Sequence, residues 1–188
     1  HAGKGAFNGL LAALLAAREF TSAAGAIECD NGFAATHAGA GNRNAAFAEP
    51  PGGYFLRQNL FKYHAACYMT HAAANAISEA MKANALQADM LGRSVVTADQ
   101  SLNSVCNIAN PDTGLGMKFS LRTVAALTML GRDTSRLSSF TDTAAVEPAL
   151  AQAREKVEVE LAEIHPITRT QVRLHVKDGR SIEAEHDS

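Results

Sequence analysis

The residues that could carry out chemistry are concentrated in one stretch, residues 61–74, which reads F-K-Y-H-A-A-C-Y-M-T-H-A-A-A. This stretch combines a cation, Lys62, with two imidazoles, His64 and His71, in a chain otherwise rich in alanine. An ammonium group attracts anions, imidazoles exchange protons near neutral pH, and the phenol of Tyr68 donates a hydrogen bond. Together these residue types are typical of a site for a small anionic molecule.

A helix is predicted to begin inside this stretch. Thr70 has the residue type of an N-cap, and residues 71–84 have the pattern of the helix that follows. Free backbone N–H groups and the positive end of the helix dipole favour a carboxylate at this position. The alternative is an ordinary junction between a strand and a helix with solvated polar side chains, which the periodicity alone favours.

Three further side chains are candidates with equally plain alternatives. Cys67 stands near basic residues that could lower the pKa of its thiol and make it a nucleophile, but a small buried hydrophobic residue is the more common role. Lys118 and Arg122 flank Ser120 at a second predicted helix start. They either add positive charge to an anion site or are solvent-exposed side chains at the end of that helix.

Composition argues against several functional classes. A net charge of -2 and a pI of about 6.4 favour neither a nucleic-acid partner nor a polybasic membrane surface. No apolar run is long enough to span a bilayer. The three cysteines, at positions 29, 67 and 106, are odd in number and far apart, which favours reduced thiols in a cytoplasm over a disulfide framework.

Motif spacing argues against metal, nucleotide and serine-hydrolase chemistry. The seven histidines are dispersed, with no H-x-x-x-H or H-E-x-x-H spacing, so no metal site is predicted. The glycines of residues 1–9 lack the G-x-x-x-x-G-K-[ST] order of a phosphate loop. No G-x-S-x-G motif is present.

The elements that would position the 61–74 stretch change in type along the chain. Residues 10–20 are apolar almost all round, which predicts a helix buried on most faces. A second helix is predicted over residues 23–29, and a long loop with a short helix at residues 45–48 over residues 32–53. Residues 54–60 are predicted to form a short amphipathic element leading into the stretch.

The second half combines helices with strands. Residues 91–99 contain a predicted strand, and residues 157–161 and 171–176 alternate strictly between apolar and polar. Helices are predicted over residues 119–131, from Ser120 to the stop at Gly131, and over residues 147–156, with Pro148 in the first turn. Asp178-Gly179 predicts a hairpin turn into residues 181–186. The predicted fold is α+β, a helical segment followed by a small domain with a partly antiparallel sheet.

The order of four segments resembles the MmgE/PrpD family, which includes 2-methylcitrate dehydratases, cis-aconitate decarboxylases and iminodisuccinate epimerases. These segments are H-A-G-K-G-A-F-N-G-L-L-A-A-L-L-A at residues 1–16, K-Y-H-A-A-C-Y-M-T-H-A at 62–72, K-F-S-L-R at 118–122 and V-K-D-G-R at 176–180. The resemblance covers nearly the whole chain.

This resemblance implies an architecture and a class of substrate. Residues 1–54 would be the C-terminal part of an all-helical domain, and residues 55–188 an α/β lid domain. Known members are homodimers that act on di- or tricarboxylates between these domains, generally without a cofactor. The resemblance therefore implies a small polycarboxylate substrate, a homodimer and no cofactor, in addition to the cytoplasmic location predicted from the cysteines.

The resemblance also places residues in the site. Lys62 matches a lysine of the family's cleft, as a carboxylate-binding or proton-transferring residue, and His1 and Lys4 fall in the other cleft-lining segment. With His64 and His71 as acid–base candidates and Tyr68 and Arg122 as substrate-binding candidates, these residues form the predicted site. Many members carry proline where this chain has His64, which suggests a subgroup-specific role. Residues that the family places before His1 are absent, so the chain is expected to be a fragment with an incomplete active site.

The leading hypothesis is a lyase or isomerase that dehydrates, decarboxylates or epimerises next to a carboxylate. A proton or CO2 then leaves a carbon near that carboxylate, so negative charge builds on the substrate and lysines stabilise it while a histidine moves the proton. The alternatives are a non-catalytic α+β packing and dimerisation module and a histidine-rich metal-binding domain.

Overall fold

A computed structural model describes residues 2–37, 42–46, 48–50, 52–54, 56 and 59–188. The chain forms two compact units, His1–Asn59 and Leu60–Ser188. The first unit contains the helices α1 (Ala2–Ala16), α2 (Phe33–His37) and α3 (Arg43–Ala46). No helix within the described ranges is both long enough and apolar enough to cross a membrane.

Helix α1 differs from the sequence-based prediction in its position and in its environment. It begins at Ala2, eight residues before Leu10, and ends at Ala16. Three residues later, Glu19 adopts a φ of 63°, a left-handed conformation that is incompatible with a continuing α-helix. Its described side chains are exposed, including Leu10 at 64% and Leu14 at 58%, so the prediction of burial is wrong. Within this unit, the short α2 and α3 offer too little surface to cover four turns of helix.

The helix predicted over residues 23–29 is also wrong. This stretch forms consecutive turns, in which the N–H groups of Glu28 and Cys29 both donate to the carbonyl of Gly25. Gly25 has a φ of 72°, which interrupts helical geometry before a second turn can form. Helices α2 and α3 lie within the predicted loop of residues 32–53. Residue 47 of the predicted short helix and residues 55, 57 and 58 of the predicted amphipathic element lie outside the described residues.

The second unit is built on a mixed four-stranded sheet. Its strands are β1 (Leu91–Asp99), β2 (Val157–Ala162), β3 (Arg169–Val176) and β4 (Ser181–Asp187). They lie in the order β2-β1-β3-β4, with β1 and β2 parallel and the other pairs antiparallel. The α+β fold with a partly antiparallel sheet is therefore confirmed.

The helices of this unit cover one face of the sheet. They are α4 (His71–Ala83), α5 (Gly114–Met117), α6 (Leu121–Met129), α7 (Asp142–Ala145) and α8 (Pro148–Glu155). Helix α4 packs on β3, β4 and α6, while α6 packs on α8 and β2. Because α4 crosses the two strands nearest the β4 edge, its polar side chains meet those of β4.

Local chemistry explains most helix ends. The Ser120 hydroxyl accepts a hydrogen bond from the Thr123 N–H at 3.2 Å, and Gly131 has the φ of 69° that closes α6. Pro148 opens α8 as predicted. Thr70 precedes α4 without capping it: its hydroxyl donates instead to the Cys67 carbonyl at 2.7 Å, because Tyr68–Thr70 already forms a 3-10 turn.

Strand alternation separates an apolar core from a polar outer face. Val96, Val172 and Leu174 are at most 3% exposed and face the helices, packing with Ile77 of α4. The opposite face carries cross-strand polar pairs, such as Arg173 and Glu183. The helical side of the sheet is thus the side on which polar groups must find protein partners.

Candidate active site

Two backbone hydrogen bonds fix the stretch that precedes α4. The N–H of Ala65 donates to the Thr134 carbonyl at 2.8 Å, and the N–H of Cys67 donates to the Lys118 carbonyl at 2.9 Å. The first contact joins the stretch to the loop after α6, and the second joins it to the turn before α6. His64 and Tyr68 are therefore held next to the N-terminus of α4.

His71 is the first residue of α4 and the most deeply buried of the candidates, with 2% exposure. Its ring centroid lies 4.8 Å from that of His64, with the planes at 87°, and 5.0 Å from that of Tyr68, with the planes at 40°. The structure therefore brings together three residues that the sequence predicted for the site.

The surroundings of His71 lower its pKa to about 4, primarily because burial disfavours the imidazolium. The nearby His64 and Lys62 lower it further, and backbone hydrogen bonds with Ala66 and His64 oppose the shift. His71 is therefore neutral at physiological pH. Its Nε2 is buried and has no hydrogen-bond partner among the described residues, which is uncommon for a buried polar atom.

His64 has both ring nitrogens engaged inside the protein. Its Nδ1 lies 2.7 Å from the Thr134 hydroxyl, and its Nε2 lies 3.0 Å from Oδ1 of Asn75 on α4. An amide oxygen only accepts, so Nε2 of His64 carries a hydrogen and donates it to Asn75. In the neutral ring, Nδ1 then accepts a hydrogen bond from the Thr134 hydroxyl.

The hydrogen-bonded chain continues to the sheet edge. Nδ2 of Asn75 lies 3.2 Å from Nε2 of His186 on β4. Nδ1 of His186 lies 3.3 Å from a carboxylate oxygen of Glu79, one turn beyond Asn75 on α4. The side chain of His186 is 27% exposed and that of Glu79 is 62% exposed, so the chain runs from the buried ring cluster to solvent.

Lys62 lies at the solvent side of this cluster. Its side chain is exposed, and its charge is one of the causes that depress the pKa of His71. Tyr68 is half-buried against the same imidazole. A cation, a phenol and a neutral imidazole thus lie together at the N-terminus of a 13-residue helix, an arrangement that is able to bind a carboxylate.

Arg122 lies in the same unit but in a different contact. Its Nη1 donates to Oδ1 of Asn107 at 2.7 Å, and Asn107 bridges to Ser120. The neighbouring Cys106 is fully buried, and burial followed by the proximity of Cys67 raises the pKa of its thiol to about 12. Cys67 packs against the same core, in keeping with the small-hydrophobe alternative.

The remaining two candidates belong to the other unit. Lys4 lies on α1, and its Nζ is 4.4 Å from the centroid of the Phe7 ring, a cation–π contact. His1 lies outside the described residues. The substrate-binding roles of both residues stay predictions.

Sequence reasoning missed four members of the cluster, Asn75, Glu79, Thr134 and His186. His71, Asn75 and Glu79 recur every four residues, which places them on one face of a helix that is otherwise rich in alanine. The spacing therefore contained a signal for Asn75 and Glu79. The contacts of Thr134 and His186 depend on tertiary packing between segments 70 and 111 residues apart.

Three shallow depressions of the described surface lie away from this cluster. They lie on the outer face of the sheet around Thr97 and Arg173, beside the C-terminus of α4 around Lys82, and near Asp99. Their volumes are about 360, 410 and 690 Å³ respectively. No group of three His, Cys, Asp or Glu side chains suited to a metal ion occurs within the described ranges.

Residues 64–187 match the family model of the MmgE/PrpD C-terminal domain, which covers the sheet, its helices and the cluster around His71. No curated protein matches the chain.

Proposed function

Because the chain belongs to the MmgE/PrpD family, we propose that its C-terminal unit supplies the cationic side of an active site for a small di- or tricarboxylate. The reaction is a dehydration, decarboxylation or epimerisation next to a carboxylate. One observation carries this proposal: His71, at the start of α4 and within the influence of the Lys62 charge, is buried and neutral, and its Nε2 has no hydrogen-bond partner among the described residues.

Lys62 acts as the carboxylate clamp. Its exposed ammonium group lowers the pKa of His71 through its charge, so an anion drawn to this lysine would approach the His71 cluster. Tyr68 donates a second hydrogen bond, and Arg122 adds positive charge from the start of α6. These groups would also stabilise the negative charge that develops on the substrate during the reaction.

His71 is the stronger of the two acid–base candidates. Nε2 of His71 has no hydrogen-bond partner among the described residues to displace, and its pKa of about 4 makes the neutral ring a weak base that readily returns a proton to the substrate. His64 would have to break a contact with Thr134 or Asn75 before it could act. Because His71 is 2% exposed, a substrate reaches its ring only if the residues that cover it change position.

The site is expected to need surface from outside this unit, since the described depressions do not include the His71 cluster. No cofactor is required, because cations and an imidazole can supply both the charge stabilisation and the proton transfer. A homodimer and a cytoplasmic location remain parts of the proposal.

Calorimetric titration of citrate, as a tricarboxylate probe, tests the clamp. Lys62→Gln is expected to weaken binding by about tenfold or more, because a charge-assisted hydrogen bond is lost. Lys82→Gln, at an exposed lysine near the other end of α4, is the matched control and is expected to bind like the unaltered chain. Equal affinities of the Lys62→Gln variant and the unaltered chain would remove Lys62 from the site.

A non-catalytic packing and dimerisation module is the second candidate. It is favoured by the internal hydrogen bonds at both nitrogens of His64 and by the lack of a described depression at His71. The two functions are distinguished by assaying turnover of cis-aconitate, 2-methylcitrate and iminodisuccinate and by measuring the mass in solution. The packing module is favoured if the chain is a dimer that does not bind citrate and its full-length parent does not turn over any of the three substrates.

A further inference from the structure

We propose that Asn75, His186 and Glu79 are positioning residues that hold His64 as the tautomer protonated on Nε2, with its ring perpendicular to that of His71. Three contacts define this chain: His64 Nε2 to Asn75 at 3.0 Å, Asn75 to His186 at 3.2 Å, and His186 to Glu79 at 3.3 Å. As a property of the carboxylate site, this role rests on the proposed function.

The carboxylate of Glu79 sets the direction of the whole chain. Its negative charge lies 3.3 Å from Nδ1 of His186, an ion-pair contact that favours a hydrogen on Nδ1, so Nε2 of the neutral ring keeps its lone pair. That lone pair requires a donor, which is the NH2 group of Asn75. The Asn75 oxygen then faces His64 and requires a hydrogen on its Nε2.

The opposite orientation of the Asn75 amide is disfavoured for the same reason. With its oxygen toward His186, the neutral ring would carry its hydrogen on Nε2, and the Nδ1 lone pair would face the Glu79 carboxylate. Two acceptors at 3.3 Å repel each other. An exposed carboxylate on α4 thereby selects the proton position on the His64 ring, which lies three contacts further in.

The chain positions His64 and does not conduct protons. Asn75 stands between the two imidazoles, and a carboxamide does not titrate in the range where histidines exchange protons. Protons from solvent therefore stop at His186. The chain instead fixes the tautomer and the ring orientation of His64. The perpendicular ring contact at 4.8 Å then restricts the orientation of the His71 ring.

Nitrogen-15 NMR of the histidine rings in the 188-residue chain reports each tautomer directly. At about pH 8, above the ordinary imidazole pKa, His64 is expected to show its hydrogen on Nε2 and His186 on Nδ1. In Asn75→Leu, His64 keeps only the Thr134 hydroxyl, which can donate or accept, so a mixture of its two tautomers is expected. In Asn75→Asp, which only accepts, a hydrogen is expected on Nε2 of both rings.

Two further variants complete the test. Glu79→Ala, at a side chain that is 62% exposed, preserves the fold and is expected to produce mixed tautomers at His186 and a partial mixture at His64. Asn84→Ala removes an asparagine whose amide bonds only to the Ala80 carbonyl, and unchanged tautomers are expected there. A mixture at His64 in the unaltered chain, or an unchanged His64 in both Asn75→Leu and Glu79→Ala, would overturn the positioning role.

The citrate titration separates this inference from the function on which it rests. Asn75→Leu is expected to weaken citrate binding several-fold, while Lys62→Gln weakens it and leaves the His64 tautomer unchanged. If neither the unaltered chain nor its full-length parent binds citrate, the proposed function fails, and the NMR spectra still decide whether the chain fixes His64. If citrate binds but Asn75→Leu has the same affinity, the positioning role at the site is refuted.

Discussion

Two alanine-rich helices of similar length, α1 and α4, have opposite environments in this protein. Helix α1 is apolar almost all round, yet its described side chains are exposed. Helix α4 carries His71, Asn75 and Glu79 along one side, yet seven of its residues are buried. Burial is therefore set by the sheet and α6 that surround α4, and the polar side chains drawn into that packing form the candidate site.

Truncating one large side chain in each helix tests this contrast with the largest expected effect. Ile77→Ala in α4 removes a fully buried side chain and is expected to lower the free energy of unfolding by about 2–5 kcal/mol. Leu14→Ala in α1 removes a side chain that is 58% exposed and is expected to change it by about 0.5 kcal/mol or less. Urea titrations followed by NMR signals from each unit would measure both. Equal losses would contradict the contrast.

A matched pair of asparagines gives the next effect. Asn75→Leu leaves half-buried hydrogen-bonding groups of His64 and His186 without their Asn75 partner, at an expected cost of about 1–2 kcal/mol. Asn8→Leu, on exposed α1, is expected to change the stability by about 0.5 kcal/mol or less. The same urea titrations measure both variants, and a stabilised Asn75→Leu chain would show that the amide contributes nothing.

The pH dependence of stability follows from the lowered pKa of His71. Its folded pKa of about 4 lies below the unfolded value of 6.5, so the unfolded chain binds more protons between these values and acid favours unfolding. The contribution of His71 is fully present above the unfolded pKa and is lost as the pH falls toward 4. Between about pH 7 and pH 5 the expected loss is about 1–2 kcal/mol.

His71→Gln is expected to flatten this part of the profile, whereas Leu14→Ala should keep it. Unfolding of the C-terminal unit at both pH values, followed by circular dichroism, provides the comparison. An unaltered slope in His71→Gln would show that another group causes the acid sensitivity.

A glycine substitution gives the smallest effect. A Cβ at Gly9 of α1 would meet no atom within 4 Å, so Gly9→Ala is expected to add about 0.5–1 kcal/mol of local helix stability through backbone entropy. Ala76→Gly in α4 is expected to cost at least as much, since the removed methyl group is fully buried. Amide hydrogen exchange in each helix measures the changes, and slower exchange in α4 after Ala76→Gly would contradict the expectation.

The parts of the fold that depend on local sequence were predictable. The alternation in β2 and β3, the Asp178-Gly179 turn and the Ser120 and Gly131 ends of α6 each follow from side chains within a few residues. The parallel pairing of β1 with β2 joins segments more than sixty residues apart and carries no local signal. The exposure of α1 was mispredicted because apolarity shows which face could be buried and not what covers it.

The candidate site, like the fold, was predictable only where it depends on residues that are close together in sequence. Lys62, His64, Tyr68 and His71 were found because they are neighbours in sequence, and the structure places His64 and Tyr68 around the His71 ring. The burial that makes His71 neutral and the partners that occupy His64 come from the sheet edge and the loop after α6. The division of roles between the two histidines therefore required the fold.

The most direct measurement of the central claim is the nitrogen-15 signal of the His71 ring during a citrate titration at constant pH. If the neutral imidazole beside Lys62 forms part of a carboxylate site, the Nε2 resonance shifts with the same dissociation constant that calorimetry gives, and Lys62→Gln moves both constants together. A His71 signal that stays unchanged while citrate saturates the protein, or that responds identically in Lys62→Gln, would contradict the account.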